Sequence, residues 1–277
     1  MASGIYFPIA ALGFSLLTII TFYVKKPIKS VETKIYKALM VSNFFGLILE
    51  LSCTFASYIH KELPLLSDFI LKTYLVYNLL WTLILTIYVL YISVDISILK
   101  RLNNKLKTLI VVIFLISCYL IYSLDCILVI KDNFRIRYTE GPGVNFTYTV
   151  CGILIFIIVF LMLGNRKNLK NKRYIPVFIF LVAIVAGIII QKSNPGLLIM
   201  TYVETLTVAI MYHTIENPDM KLLKEMHEAK EISDNANEEK TLFLYNMTQE
   251  IRTTTKNIDN EADNIIDSDD IEFDRES

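Results

Sequence analysis

Glu50 and Glu204 each fall near the middle of a long apolar stretch of this 277-residue sequence, at Ala38 to Ile59 and at Leu197 to His213. A charged carboxylate in hydrocarbon is costly, so each must face the interior of a helix bundle and either hold a proton or meet a partner. Asn43 and Asn78 lie inside apolar stretches in the same way, with Asp95 and Asp125 nearer the ends. Two chemistries are open to them. One is a ligand, cation or proton site between the second and seventh stretches, with Glu50, Glu204, Asn43 and Asn78 as candidate sensing residues. The other is packing, in which protonated carboxyls and amides bond to neighbouring Ser, Thr or Tyr. Packing is the simpler account of Asn43 and Asn78. Sensing suits Glu204 better, because its helix leads into the polar end of the chain.

Other side chains offer less. His60, His213 and His227 are scattered, with no second ligand at metal spacing, so neither a metal nor a cofactor is expected. Cys53, Cys118, Cys126 and Cys151 all fall within the apolar stretches, where small apolar packing is their ordinary role. A disulfide between Cys126 and Cys151 is the alternative there. Asn145-Phe-Thr147 matches a glycosylation acceptor by chance frequency, and Glu140-Gly-Pro-Gly143 reads as a turn rather than a phosphate cradle.

The elements that must position Glu50 and Glu204 follow from composition. At 54% hydrophobic, 19% charged and a mean hydropathy of +0.50, the chain is too apolar for an ordinary soluble domain. Apolar runs occur at Ile5 to Val24, Ala38 to Ile59, Phe69 to Val94, Thr108 to Ile130, Val144 to Gly164, Tyr174 to Ile190 and Leu197 to His213. A helix of twenty residues spans a hydrocarbon core of roughly 30 Å. The expected fold is therefore all-α: a polytopic bundle of seven transmembrane helices, followed by a cytosolic coiled-coil-like helix. The last two runs flank the turn-rich Gln191-Lys-Ser-Asn-Pro-Gly196, which suits a helical hairpin; a re-entrant loop is the rival.

Seven spans put the termini on opposite sides. The first, third and fifth connections carry fourteen Lys and Arg, the alternate ones six. By the positive-inside rule the fourteen face the cytoplasm, which places the N-terminus outside and the C-terminus inside. Nothing is basic enough for a nucleic-acid partner.

Beyond Pro218, Leu222, Met226, Ala229, Ser233 and Ala236 are set at alternating four- and three-residue steps, a thin heptad seam, with Asn217 a candidate helix cap. From Lys240 to Ile258 the residues Phe243, Met247 and Ile251 recur every fourth position, with Leu244 and Ile258 nearby. This places an apolar stripe on a polar helix. Residues 1–215 thus form a membrane unit, 216–240 a linking helix, and 241–277 a partner-seeking helix with an acidic tail. Nine carboxylates against Arg275 alone come after Ile258, and the last dozen residues are expected to be disordered.

The stretch from Phe243 to Thr255 resembles the first helix of the dimerisation and phosphoacceptor domain of bacterial sensor histidine kinases. The family pattern Phe-Leu-x-Asn-Met-Ser-His-Glu-Ile-Arg-Thr-Pro-Leu is met at Phe243, Leu244, Asn246, Met247, Glu250, Ile251, Arg252 and Thr253, with Thr248 a close substitute for Ser. Gln249 stands at the phosphoacceptor His position, flanked by Glu250 and Arg252; Thr254 replaces the Pro and Thr255 the Leu. An amide nitrogen is neither basic nor nucleophilic, so the chemistry of an imidazole is lost. The resemblance implies a bacterial plasma-membrane protein that pairs as a homodimer through Phe243, Leu244, Met247 and Ile251. It further implies the bilayer and a kinase or response regulator as partners, and no autophosphorylation by this chain alone.

The residues after Ile258 hold no Gly and leave no room for an ATP-binding domain, so the chain is expected to be a fragment of a longer kinase or a natural remnant. A transporter coupling Glu50 to Glu204 is the rival function, though seven spans do not divide into two equal repeats. A retinal protein needs a Lys in the last span, which Leu197 to His213 lacks.

Overall fold

A computed structural model describes residues 5–25, 30–94, 96–131, 136–166, 171–216 and 218–273. Asp95, the cap candidate Asn217 and the loop cations Lys26, Lys29, Arg135, Lys167 and Lys170 lie outside them. Among the described residues the chain is all-α apart from one small hairpin. Helices α1 (Tyr6–Val24), α2 (Val31–Ile59), α3 (Pro64–Ser93) and α4 (Ile96–Ser123) lead to strands β1 (Ile127–Lys131) and β2 (Ile136–Glu140). Then come α5 (Pro142–Gly164), a 3-10 turn (Lys172–Tyr174), α6 (Ile175–Ser193), α7 (Met200–Met211), a π turn (Tyr212–Glu216) and α8 (Pro218–Phe273).

Local chemistry fixes the helix starts. Ser30 caps α2 by accepting the Thr33 backbone N–H at 3.0 Å, with Glu32 in the first turn. Pro64, Pro142 and Pro176 sit in the first turns of α3, α5 and α6, where a missing N–H costs nothing. Gly141 (φ 125°) turns the chain from β2 into α5 beside the Asp125 carbonyl, a backbone conformation that L side chains rarely adopt.

Among the described residues five helices are long and apolar enough to cross a membrane: α1, α2, α3, α5, and α6 with its 3-10 turn. Several run past the apolar stretches, because Glu32, Lys34 and Lys37 are helical residues at the polar end of α2. Outward-facing apolar side chains such as Phe156 and Phe160, 71% and 68% exposed, suit a lipid solvent rather than water. α4 has a shorter apolar part, Lys107–Ser123, and α7 has only 12 residues.

The fourth apolar stretch departs from expectation. Its helix ends at Ser123, and Ile127–Lys131 pairs antiparallel with Ile136–Glu140, Val129 opposite Tyr138. A continuous apolar run does not distinguish helix from strand, and β-branched Ile127, Val129 and Ile130 favour the pleated form. Cys126 consequently lies in a connection rather than in a span.

The polar end also differs. α8 runs unbroken through the boundary drawn at 240 and on to Phe273, so most of the expected disordered tail is helical. Thr254, at the position of the family's Pro, keeps its backbone N–H, and its hydroxyl bonds the Glu250 carbonyl at 2.8 Å. The chain forms two compact units that divide between Lys221 and Leu222, the second consisting of the remainder of α8.

In the first unit, α3 packs chiefly on α2 and α5, while α7 packs on α1, α2 and α6. The main core joins Tyr36, Leu39, Met40, Trp81, Leu85, Phe180, Val208 and Met211. A smaller one joins Leu75, Leu79, Ile121 and Val144.

Candidate functional site

Helices α2 and α3 form an antiparallel hairpin. Ser67 donates to the Ala56 carbonyl at 3.1 Å near its closed end, and one to two turns further in Glu50 faces Tyr74. The two helices approach closely because Gly46 has no side chain: a Cβ there would overlap the Tyr77 ring. Tyr77 thereby reaches across to α7.

Asn43, Gly46 and Glu50 lie at positions i, i+3 and i+7, one face of α2. Tyr74 and Tyr77 share a face of α3, and Thr201, Glu204 and Thr205 share a face of α7. The three faces meet. Tyr74 donates its phenol to Glu50 Oε1 at 2.9 Å, and Thr201 donates its hydroxyl to Glu50 Oε2. Tyr77 donates to Glu204 Oε2, and Thr205 Oγ1 lies 3.0 Å from Asn43 Oδ1. Glu50, Glu204 and Asn43 are 2%, 6% and 1% exposed, and the two carboxyls lie close enough for their charges to interact. Such a cluster satisfies polar groups that hydrocarbon would otherwise leave unpaired, and it ties three helices by contacts that depend on the charge of two side chains.

Asn78 sits elsewhere. Its side-chain amide donates to the Tyr74 backbone carbonyl at 3.1 Å, and its backbone carbonyl accepts from the Thr82 hydroxyl at 2.9 Å, both within its own helix. Tyr74, Tyr77, Thr201 and Thr205 do not stand out in the sequence. Thr201 and Thr205, three before and one after Glu204, share its helix face, and that spacing is the signal that was available; Tyr74 and Tyr77 carry none.

Two further polar layers hold the unit. Near the start of α2, Arg173 pairs with Glu32 at 3.0 Å, and Tyr88 donates to the Arg173 carbonyl at 3.3 Å. Asn165 Nδ2 bonds the Tyr174 hydroxyl at 3.0 Å and the Ser93 carbonyl at 3.3 Å, which joins the ends of α3 and α5 to the start of α6. At the opposite end Lys72 bridges Asp68 at 2.9 Å and the Tyr122 carbonyl at 3.1 Å. All four cysteines are free thiols, Cys126 and Cys151 included. In the connection after α4, burial pushes the Cys126 thiol above its ordinary range, against the pull of Lys72. Among the described residues no three His, Cys, Asp or Glu side chains converge to hold a metal.

On α8, Phe243, Leu244, Met247 and Ile251 are 61%, 54%, 41% and 62% exposed, an apolar stripe open along its length. Gln249, one turn beyond Tyr245, points its amide Nε2 at the Tyr245 hydroxyl at 3.4 Å, with Glu250 and Arg252 exposed beside it. Neither a scan against protein-family models nor a search of the curated proteins finds a match for the chain.

Proposed function

We propose that this chain is the membrane sensor part of a two-component-type signalling protein. Seven helices cross a bacterial plasma membrane, with the N-terminus outside and the C-terminus cytoplasmic. A change at the Glu50–Glu204 cluster reaches α8, which pairs with α8 of a second copy. One observation carries this: three helices share two buried carboxyls, and the helix bearing Glu204 is the last before the π turn Tyr212–Glu216 and α8. π turns concentrate where helices rearrange at functional sites. A cluster that can take two packings of α7 biases the helix that α7 leads into. The resemblance of Phe243 to Thr253 to the kinase dimerisation helix supplies the output. Gln249 makes that output conformational, acting on a kinase or response-regulator partner.

The test uses the full chain in membranes, with the four native cysteines replaced by Ala and Met247→Cys introduced on the stripe. Oxidation should give an intermolecular disulfide, and Glu204→Gln should alter its yield severalfold. Absence of the disulfide removes the pairing, and a yield unchanged by Glu204→Gln removes the coupling.

A further inference from the structure

Donors and acceptors in the α2–α3–α7 cluster are mismatched. Thr205 Oγ1 lies 2.7 Å from the Thr201 carbonyl and 3.0 Å from Asn43 Oδ1, yet a hydroxyl has one hydrogen to give. Asn43 Nδ2, by contrast, is buried with the Tyr77 hydroxyl as its polar neighbour and no partner at full hydrogen-bond geometry. Turning the amide over resolves the conflict: the hydroxyl serves the Thr201 carbonyl, and the amide nitrogen donates to Thr205 Oγ1. The buried atom left unmatched is then the amide oxygen, an acceptor. It joins two carboxyls whose hydrogen-bond partners, Tyr74, Tyr77 and Thr201, all act as donors toward them.

Among the described residues no positive charge balances these acceptors. The titratable neighbours are Cys53 on α2, Tyr74 and Tyr77 on α3, and Tyr148 and Cys151 on α5, besides the two carboxyls themselves. Among the described residues, α1 and α6, packed on α7, bring no charge that acts on either carboxyl, and no Lys, Arg or His does so. Two buried carboxylates near enough to repel each other, with no cation among the described residues acting on them, do not both stay ionised in hydrocarbon.

We propose that the Glu50–Glu204 cluster is a proton-binding site, and that this proton is the ligand to which the membrane unit responds, the second clause resting on the sensor function above. The proton binds as a lone pair of one carboxyl oxygen forms an O–H bond. The O–H so formed gives the cluster a donor where ionised carboxyls offer acceptors alone. No other bond forms or breaks. Loss of the proton leaves repelling charges on α2 and α7, which favours their separation.

The experiment is an infrared pH titration of the full chain in lipid nanodiscs, tracking the carbonyl band of protonated carboxylic acid. A component of the band that grows while pH is still above about 5.5, where carboxyls with ordinary pKa values near 4 remain ionised, is expected, and it is this component that the variants report on. Glu50→Gln and Glu204→Gln should each remove about half of it and move the midpoint of the remainder, as coupled sites require. The double variant should lose it, and Tyr77→Phe, which keeps both carboxyls, should move the midpoint at full amplitude. Helical circular dichroism checks the fold; if the Gln variants do not fold, Tyr74→Phe and Tyr77→Phe carry the test. A band with no such component, or a component that survives in the double variant, overturns the site. A titrating band with α8 cross-linking indifferent to pH overturns the ligand clause alone. Proton flux into liposomes under a pH gradient overturns the sensor function and leaves the site standing.

Discussion

Tyr77 hands its phenolic hydrogen to Glu204, 127 positions further along the chain, and does so between two helices that no short connection joins. The bond needs the Tyr77 ring to lie flat over α2, in space that only Gly46 leaves open. A single residue without a side chain therefore decides whether α3 and α7 are linked through the polar cluster.

Gly46→Ala should accordingly destabilise the bundle by about 1–3 kcal/mol, the usual cost of an overpacked contact. Detergent-titrated unfolding in mixed micelles would measure it. The same substitution in a Tyr77→Ala background should cost markedly less, because the ring it displaces is gone. Equal costs in both backgrounds would remove Tyr77 from the explanation.

The Glu32–Arg173 pair is half open to solvent on the Arg side, with side-chain exposures of 11% and 45%. Glu32→Gln should therefore cost only about 1 kcal/mol, and less at high salt. Exchanging the two charges, Glu32→Arg with Arg173→Glu, should recover most of the loss, as judged by the salt dependence of thermal stability. Tyr174→Phe, which removes the hydroxyl bonded by Asn165, should leave that salt dependence unchanged.

How much of this was legible in the sequence depends on which interaction decides each feature. The long helices were, since runs of apolar residues with Pro at their starts have one good solution in lipid. Ile127 to Lys131 was not: its pairing with Ile136 to Glu140 lies in a partner strand that a local window does not contain. Glu50 and Glu204 stood out because carboxylates are rare in such runs. Tyr74 and Tyr77 did not, being two among sixteen Tyr with nothing in their spacing to say that α7 lies opposite. α8 was legible as a stripe and illegible in extent, because Thr253 and Thr254, polar and poor helix formers, bond their hydroxyls back to the Gln249 and Glu250 carbonyls at 2.8 Å and continue the helix.

Thr254→Pro restores the residue of the resembling pattern and tests that extent. Proline removes the Thr254 N–H and clashes with the Glu250 carbonyl, a local cost of about 3 kcal/mol. Amide hydrogen exchange from Glu250 to Ile258 should speed up at least tenfold, while α2 and α3 exchange as before. Unchanged exchange around Thr254 would mean that α8 is already broken there in solution.

Seven crossings make a topological prediction that five do not. Single cysteines on a cysteine-free background, at Glu140 in β2 and Asn194 after α6, should react with a membrane-impermeant maleimide added to whole cells. Asn165 and Arg173, between α5 and α6, should react only after permeabilisation if the basic fifth connection faces the cytoplasm as proposed. A cysteine replacing Ser277 should behave like Asn165 if α7, short as it is at 12 residues, completes a crossing together with the Tyr212–Glu216 turn. Labelling at Ser277 from outside, with Asn165 protected, would instead make α6 and α7 a re-entrant pair. The stripe of Phe243, Met247 and Ile251 would then lie on the wrong side of the membrane for a cytoplasmic partner.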